Sequence, residues 1–147
     1  ADLAAVRAVL TSGWLTQGPA VPRFEQAFAL VHQVRHACAV SNATAGLHLA
    51  CLALGVGPGD WVWTSPISFV ASANCGIYCG AQVDFVDVEL STRNMSVAAL
   101  AEKLLVAKRL NKLPKVVIPV HFAGLPCDMV IWRTNTALLC WRTHPTR

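Results

Sequence analysis

Residues 41–45, Ser-Asn-Ala-Thr-Ala, stand where a short apolar run ends and a helical pattern begins. The unpaired backbone N–H groups of a helix start, small side chains and the Thr44 hydroxyl make a cradle for an anion, and phosphate is its natural guest. The same residues fit a plain N-cap by Ser41 or Asn42 equally well. Phe69 enters the helix that follows Thr64-Ser65-Pro66-Ile67-Ser68. A ring there can cover a flat ligand lying over strand ends, although a phenylalanine is more often core. His121 closes the apolar run 115–121. It can bond a ligand or exchange a proton near neutral pH, or it can be a half-buried histidine bonded to backbone. Asp84 and Asp87 flank Phe85 without the spacing of an acid/base pair, so solvation at a strand end is their default. Gly55, Gly57 and Gly59 resemble a dinucleotide loop, but that loop needs a strand before it and a helix after it. Here the order is reversed, which makes the stretch a helix C-cap and turn.

Positioning such groups takes an alternating chain. Residues 2–11 carry Leu3, Val6, Val9 and Leu10 on one helical face, with Asp2 as N-cap. Residues 14–22, with Gly18, Pro19 and Pro22, read as extended and irregular. A second helix follows from Pro22, with Phe24, Ala27, Phe28 and Val31 as its buried stripe. Then come a strand at 37–40, a helix from about 43 to 54, a strand at 61–64 and a helix from about 68 to 79. A strand at 83–88, a helix from about 97 to 110 and a strand at 115–121 complete the pattern. Four apolar, β-branched strands alternating with three helices predict an α/β fold with a mostly parallel sheet and flanking helices. Pro119 inside the last strand suits an edge or a bulge.

The composition excludes several classes. Of 147 residues, 54% are apolar and 14% charged, which excludes intrinsic disorder and permits a sizeable core. The net charge of +4 is uneven: residues 1–129 hold 9 basic and 8 acidic groups, and residues 130–147 hold Arg133, Arg142, Arg147 and no acid. The body therefore has no nucleic-acid face. No apolar stretch reaches the roughly 18 residues of a membrane span, and no signal peptide is visible. The six cysteines form no CxxC pair; Cys75 and Cys79 are read as small buried hydrophobes in a reducing cytoplasm rather than metal ligands. No metal site is expected. Residues 130–147 break the composition and extend neither the alternation nor a polar linker. They are read as an atypical tail, from a shifted frame or a truncated gene, that does not pack as a continuation of residues 1–129.

Five segments taken in series are more specific than any one. Residues 12–28 (SGWLTQGPAVPRFEQAF), 41–50 (SNATAGLHLA), 55–74 (GVGPGDWVWTSPISFVASAN), 83–94 (VDFVDVELSTRN) and 116–128 (VVIPVHFAGLPCD) resemble the DegT/DnrJ/EryC1/StrS family of pyridoxal-phosphate-dependent nucleotide-sugar aminotransferases. The resemblance covers about residues 2–129 and is nearest to the branch that aminates a UDP-linked 4-keto-6-deoxy sugar on the way to pseudaminic acid. It implies the N-terminal part of a fold-type-I large domain, and a homodimer with shared active sites in the intact family. It also implies pyridoxal 5′-phosphate (PLP) as cofactor, and as partners an amino donor, glutamate, and a nucleotide-linked keto sugar. Matched residue by residue, Ala43, Thr44 and Ala45 fall where the family holds the cofactor phosphate, and Phe69 where an aromatic ring stacks on the pyridine. His121 and Gly124 match the VHxxG segment near the cofactor, and Thr16, Gln17 and Gly18 the TQG segment at the substrate entrance.

The departures bear on activity. The family's acidic partner of the pyridine nitrogen lies in an EDxAH-like strand beyond the position of Asp128, and its cofactor-anchoring lysine lies further on. Lys103, Lys108, Lys112 and Lys115 all precede that place, and Arg147 cannot substitute because guanidinium keeps its proton. No catalytic residue is therefore assigned, and the chain is expected to be inactive alone. The alternatives are a binding domain for a phosphorylated ligand and a structural remnant.

Overall fold

The computed structural model describes residues 1–128 and the backbone of Leu139 and Cys140. The chain forms two compact units, Ala1–Ser41 and a second that starts at Asn42. The first holds helices α1 (Asp2–Leu10) and α2 (Ala20–Val31). The second holds α3 (Ala43–Ala53), β1 (Trp61–Thr64), α4 (Ala71–Tyr78), β2 (Gln82–Phe85), α5 (Val97–Arg109), β3 (Val116–Ile118), a 3₁₀ turn at Phe122–Gly124 and β4 (Leu139–Cys140).

The strands lie in the order β2-β1-β3-β4 and every pair is parallel. The period-2 alternation of the strands divides the core into two layers. Val62, Val116 and Ile118 pack with Leu47 and Cys51 of α3 and Ala71 and Cys75 of α4. Trp63 and Val117 pack with Leu100 and Ala107 of α5, together with Val86 and Met95. Helices thus cover both faces, as the alternating sequence predicts. Gly76 brings α4 close to the sheet: a Cβ there would meet Val62 Cβ and Cγ2 at 3.0 Å and Val83 Cγ2 at 3.1 Å.

The turn between α3 and β1 is a helix C-cap, as expected. Gly55 has φ +66°, Val56 N–H donates to Cys51 C=O at 3.0 Å and Gly55 N–H to Leu52 C=O at 2.9 Å. This double bond pattern closes the helix. The turn is pinned from the strand side by Lys115, whose Nζ donates to Gly55 C=O at 2.6 Å and pairs with Asp60 at 2.8 Å.

Several expectations need correction. Residues 37–40 form no strand, because no described strand lies beside them to share a ladder; Ala39 N–H instead donates to Glu25 Oε1 at 2.8 Å. Asp2 does not cap α1; it lies in the first turn after Ala1. The apolar stripes of α1 and α2 are not buried: Leu3 is 87% exposed, Phe24 59% and Val31 77%. Periodicity marks the face that needs cover, not what covers it, and a 41-residue unit has too little interior to do so. Pro119 does not interrupt a strand, because β3 stops at Ile118, and β3 lies inside the sheet rather than at its edge. Leu139–Cys140 pairs parallel to Val116–Val117, although no strand was expected there. Two apolar residues suffice to take up the open ladder of β3. The rest of the tail 130–147 lies outside the described residues.

Candidate functional site

The sheet order sends the chain from β1 to β2 on one side and on to β3 on the other. The reversal lies between β1 and β3, and the crevice beyond their carboxyl ends is where ligands of open α/β sheets bind. Thr64 and Ile118 are register partners there, and Thr64 Oγ1 donates to Ile118 C=O at 2.9 Å. α3 and α4 each join β1 by a short connection and run back along it, so both helices start at this carboxyl edge. Thr44, Phe69 and His121 thus share one edge of the second unit.

Asn42 caps α3, accepting from Ala45 N–H at 2.9 Å through Oδ1. The cap and the cradle, alternatives in the sequence, therefore coexist. The cap occupies Ala45 N–H, while Ala43 and Thr44 N–H stand in the first helical turn with no intrahelical acceptor. Thr44 is half-buried and Ala43 exposed. The positive end of the helix dipole adds to these two donors.

Phe69 is 74% exposed. The more frequent core role does not apply: its ring stands clear of both apolar clusters, ahead of α4. Ser68 Oγ and Ser72 Oγ lie 2.7 Å apart, and Ser72 N–H donates to Phe69 C=O at 3.1 Å, which fixes the backbone beneath the ring. Ser65, at the end of β1, is buried, and its Oγ has no hydrogen-bond partner. In the sequence this hydroxyl does not stand out, since serine after a strand is common in turns.

His121 is half-buried, and its Nδ1 accepts from Cys127 N–H at 3.0 Å. Gly124 follows at φ +84°, in the left-handed region that favours glycine. Burial raises the Cys127 thiol pKa, and its Sγ donates to Val120 C=O at 3.3 Å. Asp84 and Asp87 are local anchors rather than site acids. Asp84 pairs with Lys103 at 2.7 Å, and Asp87 Oδ1 accepts from Val88 N–H at 2.8 Å.

Thr16, Gln17 and Gly18 belong to the first unit. Gln17 has φ +51°, and a Cβ on Gly18 would come within 2.8 Å of Trp14 Cβ. Gln17 and Gly18 line a groove of about 430 Å³ with Trp14, Leu15 and Pro19, and Thr16 is not among its lining residues.

The profile of the DegT/DnrJ/EryC1/StrS aminotransferase family matches residues 1–137. The chain belongs to this family. It is 43% identical over 128 residues to the spore coat polysaccharide biosynthesis protein SpsC of Bacillus subtilis, covering 87% of this chain and 31% of that protein. A DegT/DnrJ/EryC1/StrS aminotransferase from Brucella abortus superposes with a TM-score of 0.83 at 31% identity, covering 89% of this chain and 35% of that one. The PLP form of Spr1654 from Streptococcus pneumoniae, assigned as a sugar aminotransferase, gives 0.81 at 32%, covering 90% and 32%. The chain thus spans about a third of the length of these relatives. Relatives have been solved with PLP or pyridoxamine phosphate, so PLP is the cofactor of the intact family. The α/β fold with a parallel sheet is that of these aminotransferases.

The described residues fit part of such a cofactor. Two unpaired N–H groups suit a phosphate, an exposed ring suits a flat heterocycle, and the orphaned Ser65 hydroxyl leaves one polar group unsatisfied at the same edge. Lysines are placed elsewhere. Lys103 faces Asp84 and the Trp63 ring, Lys112 lies over the Trp61 ring, and Lys115 holds the α3–β1 turn. Lys108 sits in the last turn of α5, at the opposite end of the sheet. Among the described residues no group of His, Cys, Asp and Glu could hold a metal, and no helix is long and apolar enough to cross a membrane.

Proposed function

We propose that this chain supplies the phosphate and ring-stacking half of a PLP site in an aminotransferase acting on a nucleotide-linked keto sugar, with glutamate as amino donor. The observation that carries this reading is the coincidence, at one topological switch point, of the α3 N-terminus and the exposed Phe69 ring. In it, Ala43 and Thr44 bind the phosphate, Phe69 covers the ring, and His121 borders it. The bound cofactor supplies the electron sink. The residues here bind and orient it. Thr16, Gln17 and Gly18 form part of the substrate entrance, and the working assembly is a homodimer in the cytoplasm.

SpsC carries polysaccharide biosynthesis in its name, which supports a glycan precursor as substrate. The five matched segments favour a UDP-linked 4-keto-6-deoxy sugar of the pseudaminic acid type. With every described lysine engaged elsewhere or at the far edge, these residues hold PLP reversibly and show no turnover alone.

The test is titration of the labelled chain with PLP and with inorganic phosphate, followed by amide spectra. Both ligands should move Ala43, Thr44 and Ala45 first, and PLP alone should move Phe69. Borohydride fixation and peptide mapping should then mark no single lysine. Shifts elsewhere, or one stoichiometrically labelled lysine with transamination, would overturn the reading.

A further inference from the structure

We propose that Asn94 is a positioning residue for His121, holding the imidazole as the Nε2–H tautomer at the carboxyl edge of β3. Asn94 lies in the connection between β2 and α5 and is 5% exposed. Its carboxamide reaches across the fold: Oδ1 accepts from Phe122 N–H at 2.9 Å and Nδ2 donates to Leu125 C=O at 3.0 Å. The side chain can sit only one way round, because the reverse would face donor with donor and acceptor with acceptor. Its own backbone is fixed as well. Asn94 N–H donates to Thr92 Oγ1 at 3.2 Å, and Asn94 C=O accepts from Glu89 N–H at 2.9 Å.

Those two side-chain bonds clamp the residues immediately around His121. Phe122 is its neighbour, and Leu125 lies two residues before Cys127, whose N–H donates to His121 Nδ1 at 3.0 Å. A ring nitrogen that accepts a backbone N–H keeps its lone pair, so the proton of the neutral imidazole resides on Nε2. Asn94 thereby fixes His121 as a hydrogen-bond donor through Nε2. Cys127 Sγ closes the segment from within by donating to Val120 C=O, and the Asn94 side chain ties the segment from outside at two backbone groups, beside a Met95 backbone bond to Cys127. What the donor serves rests on the cofactor site proposed above; the tautomer itself does not.

Long-range ¹H–¹⁵N spectra of the labelled full chain, recorded over a pH series and read at the basic plateau, report the tautomer directly. His121→Gln identifies the signals by deleting them. The wild-type chain should show one tautomer, with Nδ1 unprotonated. In Asn94→Leu a population protonated on Nδ1 should appear beside the Nε2–H form. Asn94→Asp keeps the acceptor for Phe122 but opposes a carboxylate to Leu125 C=O, and should fall between. Wild-type His121 protonated on Nδ1 overturns the proposal, whether or not any variant folds. So does a folded Asn94→Asp or Asn94→Leu chain with an unchanged tautomer, since mere loop support would alter unfolding without moving that signal. PLP titration separates the two readings. A tautomer that follows Asn94 without PLP shifts at Ala43–Ala45 sinks the cofactor site alone, and the converse sinks the Asn94 role alone.

Discussion

At the residue scale, Thr44 carries the sharpest expectation. Its N–H and hydroxyl stand at the start of α3, and the neighbouring cap already occupies Ala45 N–H. Thr44→Val keeps the shape and removes the hydroxyl. Affinity for phosphate or PLP should fall by about 1–2 kcal/mol, the range for one charge-assisted hydrogen bond, measured by calorimetry. An unchanged affinity would reduce Thr44 to a helix residue. Asp60 offers a second test. Its pKa is held below the usual carboxylate value by the Lys115 ammonium and by Gly57 N–H. A depressed folded pKa gives stability that is present above the unfolded value, near about 3.9, and lost as pH falls through the folded one. Lys115→Met should raise the Asp60 pKa in a carboxyl NMR titration and flatten the acid limb of the stability curve. Thr44 was legible in sequence because helix starts have a recognisable chemistry. Ser65 and Asn94 were not, since their significance comes from burial and from partners up to 31 residues away.

The elements of the second unit show where sequence periodicity works. β1 falls at the expected residues, and α3, α4, α5, β2 and β3 fall within a few residues of expectation, because alternating apolar runs and caps by Asn42 and Ser96 are local signals. The strand expected at 37–40 failed for a non-local reason: a strand exists only beside another. Helix-to-sheet packing is equally invisible in sequence, and Gly76 is its clearest case. Gly76→Ala would press a methyl into Val62 and Val83 at 3.0–3.1 Å. Destabilisation by about 1–3 kcal/mol is expected in urea unfolding, despite alanine's better helix propensity. A stabilised variant would mean that α4 shifts freely. The thiols between α3 and α4 report on the same interface. Contact with Cys75 and burial push the Cys51 pKa up, so iodoacetamide should modify exposed Cys38 quickly and Cys51 only on unfolding. Equal rates in the native chain would show that the helices part readily.

At the scale of the whole molecule, the two units differ in how they bury apolar surface. The second encloses two apolar layers around its sheet. The first exposes Leu3, Leu10, Phe24, Phe28, Leu30 and Val31, and none of the residues of α1 and α2 is buried. An apolar surface of that extent leads to association in water. The chain should therefore enhance the fluorescence of an apolar dye and show a concentration-dependent mass in sedimentation. Charge substitutions Leu3→Glu and Phe28→Glu should reduce both without lowering stability by more than a few tenths of a kcal/mol, as for exposed positions. A monomer at all concentrations that ignores the dye would contradict this.

The bond from Thr64 to Ile118 spans 54 positions of the chain. It joins the two strand ends between which the crevice opens, so the crevice has a date of birth during synthesis. A ribosome adding about 5–20 residues per second needs several seconds to go from one end to the other. For that interval β1 is made while its partner on the crevice side has not yet been translated. The crevice therefore opens only once β3 is made, and a pause within the codons for α5 would lengthen the exposure of that open strand edge to chaperones.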